Sequence, residues 1–188
     1  MSVLSYRIHY YRASPSEKFR YVLGTEGVKP LLVFGVNPSR ANQEKPDPTL
    51  RRVLGFAQRE GYDSFYMLNL YPQRATLPED LHLRLNGPAH RQNLEAIEEV
   101  LRENPQADAW AAWGNLVTFR PYLHRRCLPA LISLGNRYGL TWWQLGEPTK
   151  AGHPRHPVRA SYRLRLKPWS PSASADERGG LKPTNPNT

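Results

Sequence analysis

The chain has 188 residues, of which 39% are hydrophobic, which is enough for one α/β domain with a single core and too few for two full domains. Lys and Arg number 26 against 16 Asp and Glu, so the formal charge of +10 favours a polyanionic partner such as DNA, although an acidic protein partner stays open. The single cysteine, Cys127, excludes an intramolecular disulfide, a cysteine-ligated iron–sulfur cluster and a zinc ribbon.

No membrane or export segment is recognisable in the sequence. No apolar run approaches the roughly 20 residues that cross a bilayer, and the N-terminal sequence lacks the apolar stretch of a signal peptide. We therefore expect a cytoplasmic protein without membrane association, and no obligate protein partner is evident.

Four short apolar runs with turn residues on their flanks predict buried strands. In chain order they are LLVFGV (31–36), SFYMLNL (64–70), AWAAWG (109–114) and LTWWQL (140–145). Helical patterns separate these runs. Alternating strands and helices predict a three-layer α/β/α sandwich with a central, mostly parallel four-stranded sheet.

Three helices are predicted in the intervening segments. Asp47 and Pro48 suit the cap and first turn of the first helix, and Gly61 suits its end. The second helix is predicted over about 89–103. The third, over about 121–138, contains Pro129 and is expected to be kinked or broken there.

The last stretch, from Ser170, is rich in Ser, Pro, Gly and Asn and has almost no apolar content. Such a segment cannot offset its ordering entropy by burial. We therefore expect a single domain over 1–169 and a disordered tail over 170–188.

Ligands of parallel α/β sheets bind beyond the carboxyl ends of the strands, so the residues that follow each strand are the candidates for chemistry. After the first strand, Gly35 permits close approach, Asn37 presents an amide and Pro38 stiffens the turn. The plainer alternative is a tight turn in which Asn37 caps its own backbone.

Asn69 ends the second strand inside an otherwise apolar run. A buried amide without hydrogen-bond partners costs on the order of 1 to 3 kcal/mol. Asn69 therefore either stabilises the structure or reads a ligand.

Two His-Pro units, at His153 and His156, follow the fourth strand. They lack companion ligands for zinc, so we expect no metal site and interpret them as neutral hydrogen-bond donors at a pocket rim. The segment 155–167 carries five basic residues and no acid. It predicts a strip that contacts phosphates, the alternative being a solvated edge strand.

Together these segments resemble an uncharacterised bacterial family, domain of unknown function 1643, over most of residues 18–169. The resemblance is carried by LLVFGVNPSRA, DPTLRR, MLNLYPQRAT, AWG and GHPRHP. More distantly, the order of motifs is similar to the uracil-DNA glycosylase superfamily, whose mismatch-specific branch has a Gly-x-Asn-Pro turn where this chain has residues 35–38. The resemblance implies a uracil-DNA glycosylase-like fold.

The resemblance also implies roles for individual residues. Asn37 would position and polarise the attacking water, and Asn69 would read the edge of a flipped base. Either His153 or His156 would hydrogen-bond the departing base, and one sequence does not decide between them. Substrate binding would involve Gly35, Pro38, Ser39 and Asn69.

Two departures from the superfamily pattern affect substrate choice. Ser39 stands where a glycine is usual, and Arg155 or Arg159 stands where an apolar wedge is expected. Asp47 is the candidate carboxylate for stronger base catalysis, in competition with its role as a helix cap. DNA contacts are expected from Arg40, Arg74, Arg155, Arg159 and Arg163.

The function expected from these features is that of a monofunctional DNA glycosylase without a cofactor. It would flip a damaged or modified pyrimidine out of DNA and hydrolyse its N-glycosidic bond. Uracil is the default substrate, and a hypermodified phage cytosine, as in antiviral defence, is the other candidate. The alternative is a non-catalytic nucleic-acid or nucleotide-binding module with the same fold. The positive charge disfavours a third possibility, a hydrolase of free nucleosides or nucleotides.

Overall fold

The computed structural model of the protein describes residues 6–171. The predicted tail lies outside the described residues, apart from Ser170 and Pro171. No helix within 6–171 has both the length and the apolar character needed to span a bilayer.

One mixed sheet of seven strands forms the centre of the fold, in the order β1-β2-β4-β3-β5-β6-β7. Strands β3 to β6 are the four predicted from the sequence, and they are mutually parallel neighbours in the order β4-β3-β5-β6. Strands β1, β2 and β7 pair antiparallel. The strands are Tyr10–Ala13 (β1), Arg20–Gly24 (β2), Pro30–Gly35 (β3), Ser64–Asn69 (β4), Asp108–Ala111 (β5), Thr141–Leu145 (β6) and Leu166–Pro168 (β7).

The predicted size of the sheet, four strands, is therefore wrong. The three additional strands lack the signals that the prediction used. β1 and β7 are short and mostly exposed or half-buried. β2 is fully buried but begins with Arg20, and a charged residue is not expected at the start of a buried strand.

Helices cover both faces of the sheet because successive side chains of a strand point to opposite faces. Helix α1, Pro48–Arg59, packs against Leu31 and Val33 of β3. Helices α2, Gly87–Glu103, and α3, Leu128–Arg137, pack on the other face, against Leu32 and Phe34 of the same strand.

The ends of the helices follow the sequence signals closely. The Leu50 N–H donates to Asp47 Oδ1 at 2.9 Å, so Asp47 caps α1, and Gly61, with a φ of +81°, follows its last turn. The predicted third helix is divided, because a π-helical turn over Leu123–Cys127 precedes α3. Pro129 lies in the first turn of α3, directly after this π-helical turn, so the helix changes its hydrogen-bond pattern next to the proline, which cannot donate a backbone N–H.

The strand order fixes where a ligand would bind. From β3 the chain proceeds through α1 to β4 on one side, and it then returns through α2 to β5 on the other side of β3. The winding therefore reverses between β3 and β5. A crevice outside the carboxyl ends of the strands at such a point is the usual ligand site of open α/β sheets.

Candidate functional site

A pocket of about 50 Å³ lies at this reversal point. Five residues singled out from the sequence line it: Gly35, Asn37, Ser39, Asp47 and His156. An apolar cavity of about 150 Å³ takes up benzene. In this form the pocket therefore holds a group of a few atoms, and a whole base enters only if the surrounding loops move apart.

Asn37 is held in place by backbone carbonyls. Its Nδ2 donates to Pro38 O and to Ala75 O, both at 2.9 Å. The Ala75 N–H donates back to Pro38 O at 3.0 Å, so the loops after β3 and β4 are tied together at this point. Because both carbonyls engage the amide nitrogen, Oδ1 is the side-chain atom left to accept a hydrogen bond from a ligand or water.

Asn69 lies directly behind Gly35, its register partner in the parallel pair β3–β4. A Cβ on Gly35 would lie 2.8 Å from Met67 Cε and 3.0 Å from one polar atom of the Asn69 amide, so glycine allows this approach without displacing either side chain. With its amide nitrogen turned towards the neighbouring carbonyls, Asn69 donates to Leu68 O and Asn37 O at 3.3 Å each. The side chain is fully buried. Asn69 thus supports the turn that carries Asn37 and does not line the pocket itself.

The structure separates the two histidines of the His-Pro loop. His156 lines the pocket with Asn37, whereas the His153 ring packs against His124, with ring centroids 6.3 Å apart. Gly114, after β5, has a φ of +61°, and a Cβ there would lie 2.9 Å from His156 Cβ. The Gly114 N–H also donates to Pro154 O at 3.0 Å. Glycine at this position therefore lets the loop pack closely enough to bring His156 into the pocket.

A backbone N–H group determines which ring nitrogen of His156 carries the proton. The Val158 N–H donates to His156 Nδ1 at 3.2 Å, so Nδ1 is an acceptor and carries no proton. Burial lowers the pKa of His156, and the nearby carboxylate of Asp47 opposes this shift. At neutral pH the ring is therefore neutral with its proton on Nε2, which makes it a hydrogen-bond donor.

The lowered pKa of His156 makes the stability of the protein depend on pH. The folded state binds this proton more weakly than the unfolded state, whose pKa is 6.5. The stabilisation is therefore complete above that pH and is lost as the pH falls through the lower folded-state pKa. Denaturant titrations at a series of pH values should show the free energy of unfolding decreasing below pH 6.5, with a smaller decrease in His156→Gln.

A second histidine, His90, provides the comparison. Burial also lowers the pKa of His90, so His90→Gln should remove a further part of the pH dependence. An equal pH dependence in wild type and His156→Gln would contradict the lowered pKa of His156.

The carboxylate of Asp47 accepts hydrogen bonds from two backbone segments. Besides capping α1, its Oδ2 accepts from the Ala41 N–H at 3.4 Å. Asp47 lines the pocket, but both of its oxygens have backbone partners. In the loop after β3, Pro38 is buried and Ser39 is half-buried.

The arginines predicted to contact DNA fall into two groups. Arg74 is tied into the structure, because its guanidinium donates to Ser39 O and Ala41 O at 3.1 Å each and pairs with Glu17 at 3.1 Å. Arg40 is exposed, with Nε 3.4 Å from Thr76 Oγ1.

The basic segment 155–167 is partly neutralised in the fold. Arg165 pairs with Glu60, and Lys167 pairs with Glu147. Arg155, Arg159 and Arg163 are exposed. Arg155 Nε donates to Glu147 O at 2.7 Å. Among residues 6–171, no hydrogen bond or ion pair is found for the guanidinium groups of Arg159 and Arg163, although the Arg163 backbone N–H donates to Ser161 Oγ at 3.2 Å. Both guanidinium groups are therefore available to phosphates.

Arg20 is the charged residue of the pocket lining that the sequence did not indicate. It is only 2% exposed, lines the pocket and donates from Nη1 to Ala41 O at 2.9 Å. Because β2 runs antiparallel to β4, β2 begins at the edge of the sheet where β4 ends, and the Arg20 N–H donates to Pro72 O at 2.9 Å. The available signal was an arginine directly preceding the apolar run YVLG.

Taken together, the fold and site define an α/β protein with a small pocket, lined by both polar and apolar residues, at the reversal point of its parallel strands. The chain belongs to the family described as Protein of unknown function (DUF1643), whose model matches residues 20–158. The predicted membership of this family is thereby confirmed. No curated protein and no solved structure matches the chain. In the described part of the chain, no group of three or more His, Cys, Asp or Glu is placed to hold a metal ion.

Proposed function

We propose that the protein is a monofunctional DNA glycosylase with a uracil-DNA glycosylase-like fold, acting on a damaged or modified pyrimidine. The observation that carries the proposal is the meeting of Asn37 and His156 in one pocket at the carboxyl edge of the sheet. These residues come from separate loops and present an acceptor and a neutral donor to the same small space.

The two side chains suit hydrolysis of an N-glycosidic bond. As the bond between C1′ and the base nitrogen breaks, its electron pair leaves with the base, and positive charge develops on the sugar. The Nε2–H of His156 would stabilise the negative charge on the base. Asn37 Oδ1 would accept a hydrogen bond from the water whose oxygen attacks C1′.

An amide cannot take the proton of that water as a carboxylate does, so the proton would pass through solvent to the anionic base, which is released as the neutral free base. Catalysis would therefore rest on positioning and electrostatics, with the DNA phosphates helping to stabilise the cationic sugar. None of the described residues that line the pocket is a lysine. This agrees with hydrolysis by water rather than with a lyase that uses an amine nucleophile.

A depression of about 440 Å³ beside the pocket bears on the choice of substrate. Arg40, Asn42, Gln43 and Glu44 of the polar loop line it together with Arg74. This polar space is large enough for a bulky substituent. It supports a hypermodified cytosine as substrate, with a role in antiviral defence, alongside the default substrate uracil.

DNA binding is expected to depend on Arg159 and Arg163. In the double variant Arg159→Gln/Arg163→Gln, the slope of log K against log salt should become shallower by about 0.9 for each lost contact to a duplex phosphate. Fluorescence anisotropy of labelled DNA at several salt concentrations measures this slope. The control is Arg102→Gln in α2, which covers the opposite face of the sheet from α1. A slope unchanged in the double variant would exclude this strip from the DNA interface.

Release of free bases from a panel of DNAs tests the proposal. The panel contains uracil-bearing oligonucleotides and phage DNA with hydroxymethylated or glucosylated cytosine, and mass spectrometry identifies the released base. Release by wild type and not by Asn37→Ala would support a glycosylase and identify its substrate.

The pocket volume favours a second candidate, a non-catalytic nucleic-acid or nucleotide-binding module. A pocket of about 50 Å³ is smaller than the cavity that a six-membered ring occupies. Under this alternative, DNA or nucleotide binding survives Asn37→Ala, and no DNA in the panel releases a base.

A further inference from the structure

Two guanidinium groups meet beneath the loop that carries Asn37. Arg20 Nη1 and Arg74 Nη1 donate to the same oxygen, that of Ala41, at 2.9 and 3.1 Å. The Nε atoms of both arginines are buried and have no hydrogen-bond partner. Two positively charged groups thus share one acceptor, and the buried Nε–H of each has no acceptor.

Among the described residues, only one of these two arginines forms an ion pair with a carboxylate. Arg74 pairs with Glu17 at 3.1 Å, whereas Arg20 takes part in none of the ion pairs found among the described residues. Asp47 is the carboxylate that lines the same pocket, but backbone N–H groups of Ala41 and Leu50 engage its oxygens. Arg20 therefore lacks a directly bonded anion.

Arg20 keeps its charge in this setting. Burial and the neighbouring Arg74 lower the pKa of Arg20 to about 10, and Asp47 opposes the shift. Arg20 is therefore protonated at neutral pH. A buried cation without a bonded anion is costly, and an anionic ligand that reaches it removes this cost.

We propose that the inner end of the pocket binds an oxyanion, either a phosphate or a carboxylate group, against Arg20. The planar guanidinium is suited to such groups because its N–H donors match two oxygens at once. His156 and the hydroxyl-bearing Ser39 line the same space and supply further donors. The volume of about 50 Å³ has room for roughly three to five waters, which suits a small oxyanion better than a ring.

The assignment of the bound oxyanion to a part of the substrate rests on the proposed function. The oxyanion would then belong to the substrate, as an acidic substituent of the pyrimidine or as the phosphate of the flipped nucleotide. Both sources present the same chemistry to Arg20.

Thermal unfolding of the full chain with inorganic phosphate and with acetate tests the oxyanion site. Chloride keeps the ionic strength constant, so general screening does not change. We expect the wild-type Tm to rise with the logarithm of the anion concentration once that concentration exceeds Kd, because binding at a single site stabilises the folded state by RT ln(1 + [L]/Kd). A response to phosphate alone indicates a phosphate-bearing ligand, and a response to acetate alone indicates a carboxylate. A response to both supports the site for either group.

Two variants and a control make the test specific. Arg20→Gln removes the positive charge. Ser39→Asp adds a second carboxylate to the pocket lining beside Asp47, whose own oxygens are engaged by backbone N–H groups, and the added carboxylate should compete with a free anion for Arg20. Each variant should abolish the response, so Ser39→Asp decides the matter if Arg20→Gln does not fold. Arg102→Gln, distant on α2, should respond as wild type does. The proposal is overturned if wild type responds to neither anion, or if Ser39→Asp responds fully.

The outcome is independent of catalysis because the assay contains no DNA. A missing anion response overturns the oxyanion site and leaves the glycosylase proposal standing. An anion response without base release from any DNA overturns the glycosylase proposal alone.

Discussion

Asn37→Ala is expected to lower the rate of base release by about 100-fold or more, a loss typical of a misplaced reacting group. The variant loses the Oδ1 that would position the attacking water. It also loses the two bonds from Nδ2 to Pro38 O and Ala75 O that hold the turn. Single-turnover release of base, followed by mass spectrometry, measures the effect.

The control for this variant is Asn136→Ala, an exposed asparagine in α3 away from the pocket. It should release base at the wild-type rate. The Asn37→Ala protein should still bind DNA, because the exposed arginines are untouched. Wild-type release by a folded Asn37→Ala protein would remove Asn37 from the mechanism.

His156→Ala is expected to reduce base release by about 10²- to 10³-fold, the usual effect of removing one donor that stabilises developing negative charge. His153→Ala is the matched control from the same loop. Its ring packs against His124 and does not line the pocket, so the rate should stay close to that of wild type.

A comparison of the two variants under identical single-turnover conditions decides between the histidines. Loss of release in His153→Ala with normal release in His156→Ala would reverse the assignment. Equal losses in both would indicate that the loop acts only by its overall conformation.

The central strands and the first helix could be predicted because their signals are local. Strands β3 to β6 are continuous apolar runs bounded by turn residues. The cap at Asp47 and the glycine at Gly61 lie within the segment whose ends they define. Apolar runs and capping bonds of this kind depend on neighbouring residues in the chain, which a single sequence displays.

The pocket could be predicted only in part, because some of its residues are brought there by contacts between segments that are far apart in the sequence. Arg20 reaches the pocket through the antiparallel pairing of β2 with β4, and nothing near it in the sequence indicates that pairing. His156 and His153 occur in nearly identical His-Pro contexts. The packing of Gly114 against the loop brings one of them into the pocket.

Asn69 illustrates how an accurate strand prediction can still leave a side chain's surroundings open. Its position at the end of β4 follows from the sequence. Its place behind Gly35 depends on the register of the β3–β4 pair, because a shift by one residue would turn the side chain to the other face. Register is set by the whole sheet and not by the strand alone.

The measurement that most directly tests the central claim is the stoichiometry of products from one reaction. Wild-type protein is incubated with each DNA of the panel, and mass spectrometry quantifies both the free base and the DNA strand. The proposed mechanism predicts one base released per abasic site formed and an uncut strand, with both products forming about 100-fold or more slowly with Asn37→Ala. Salt-sensitive DNA binding without release of a base from any DNA would contradict it.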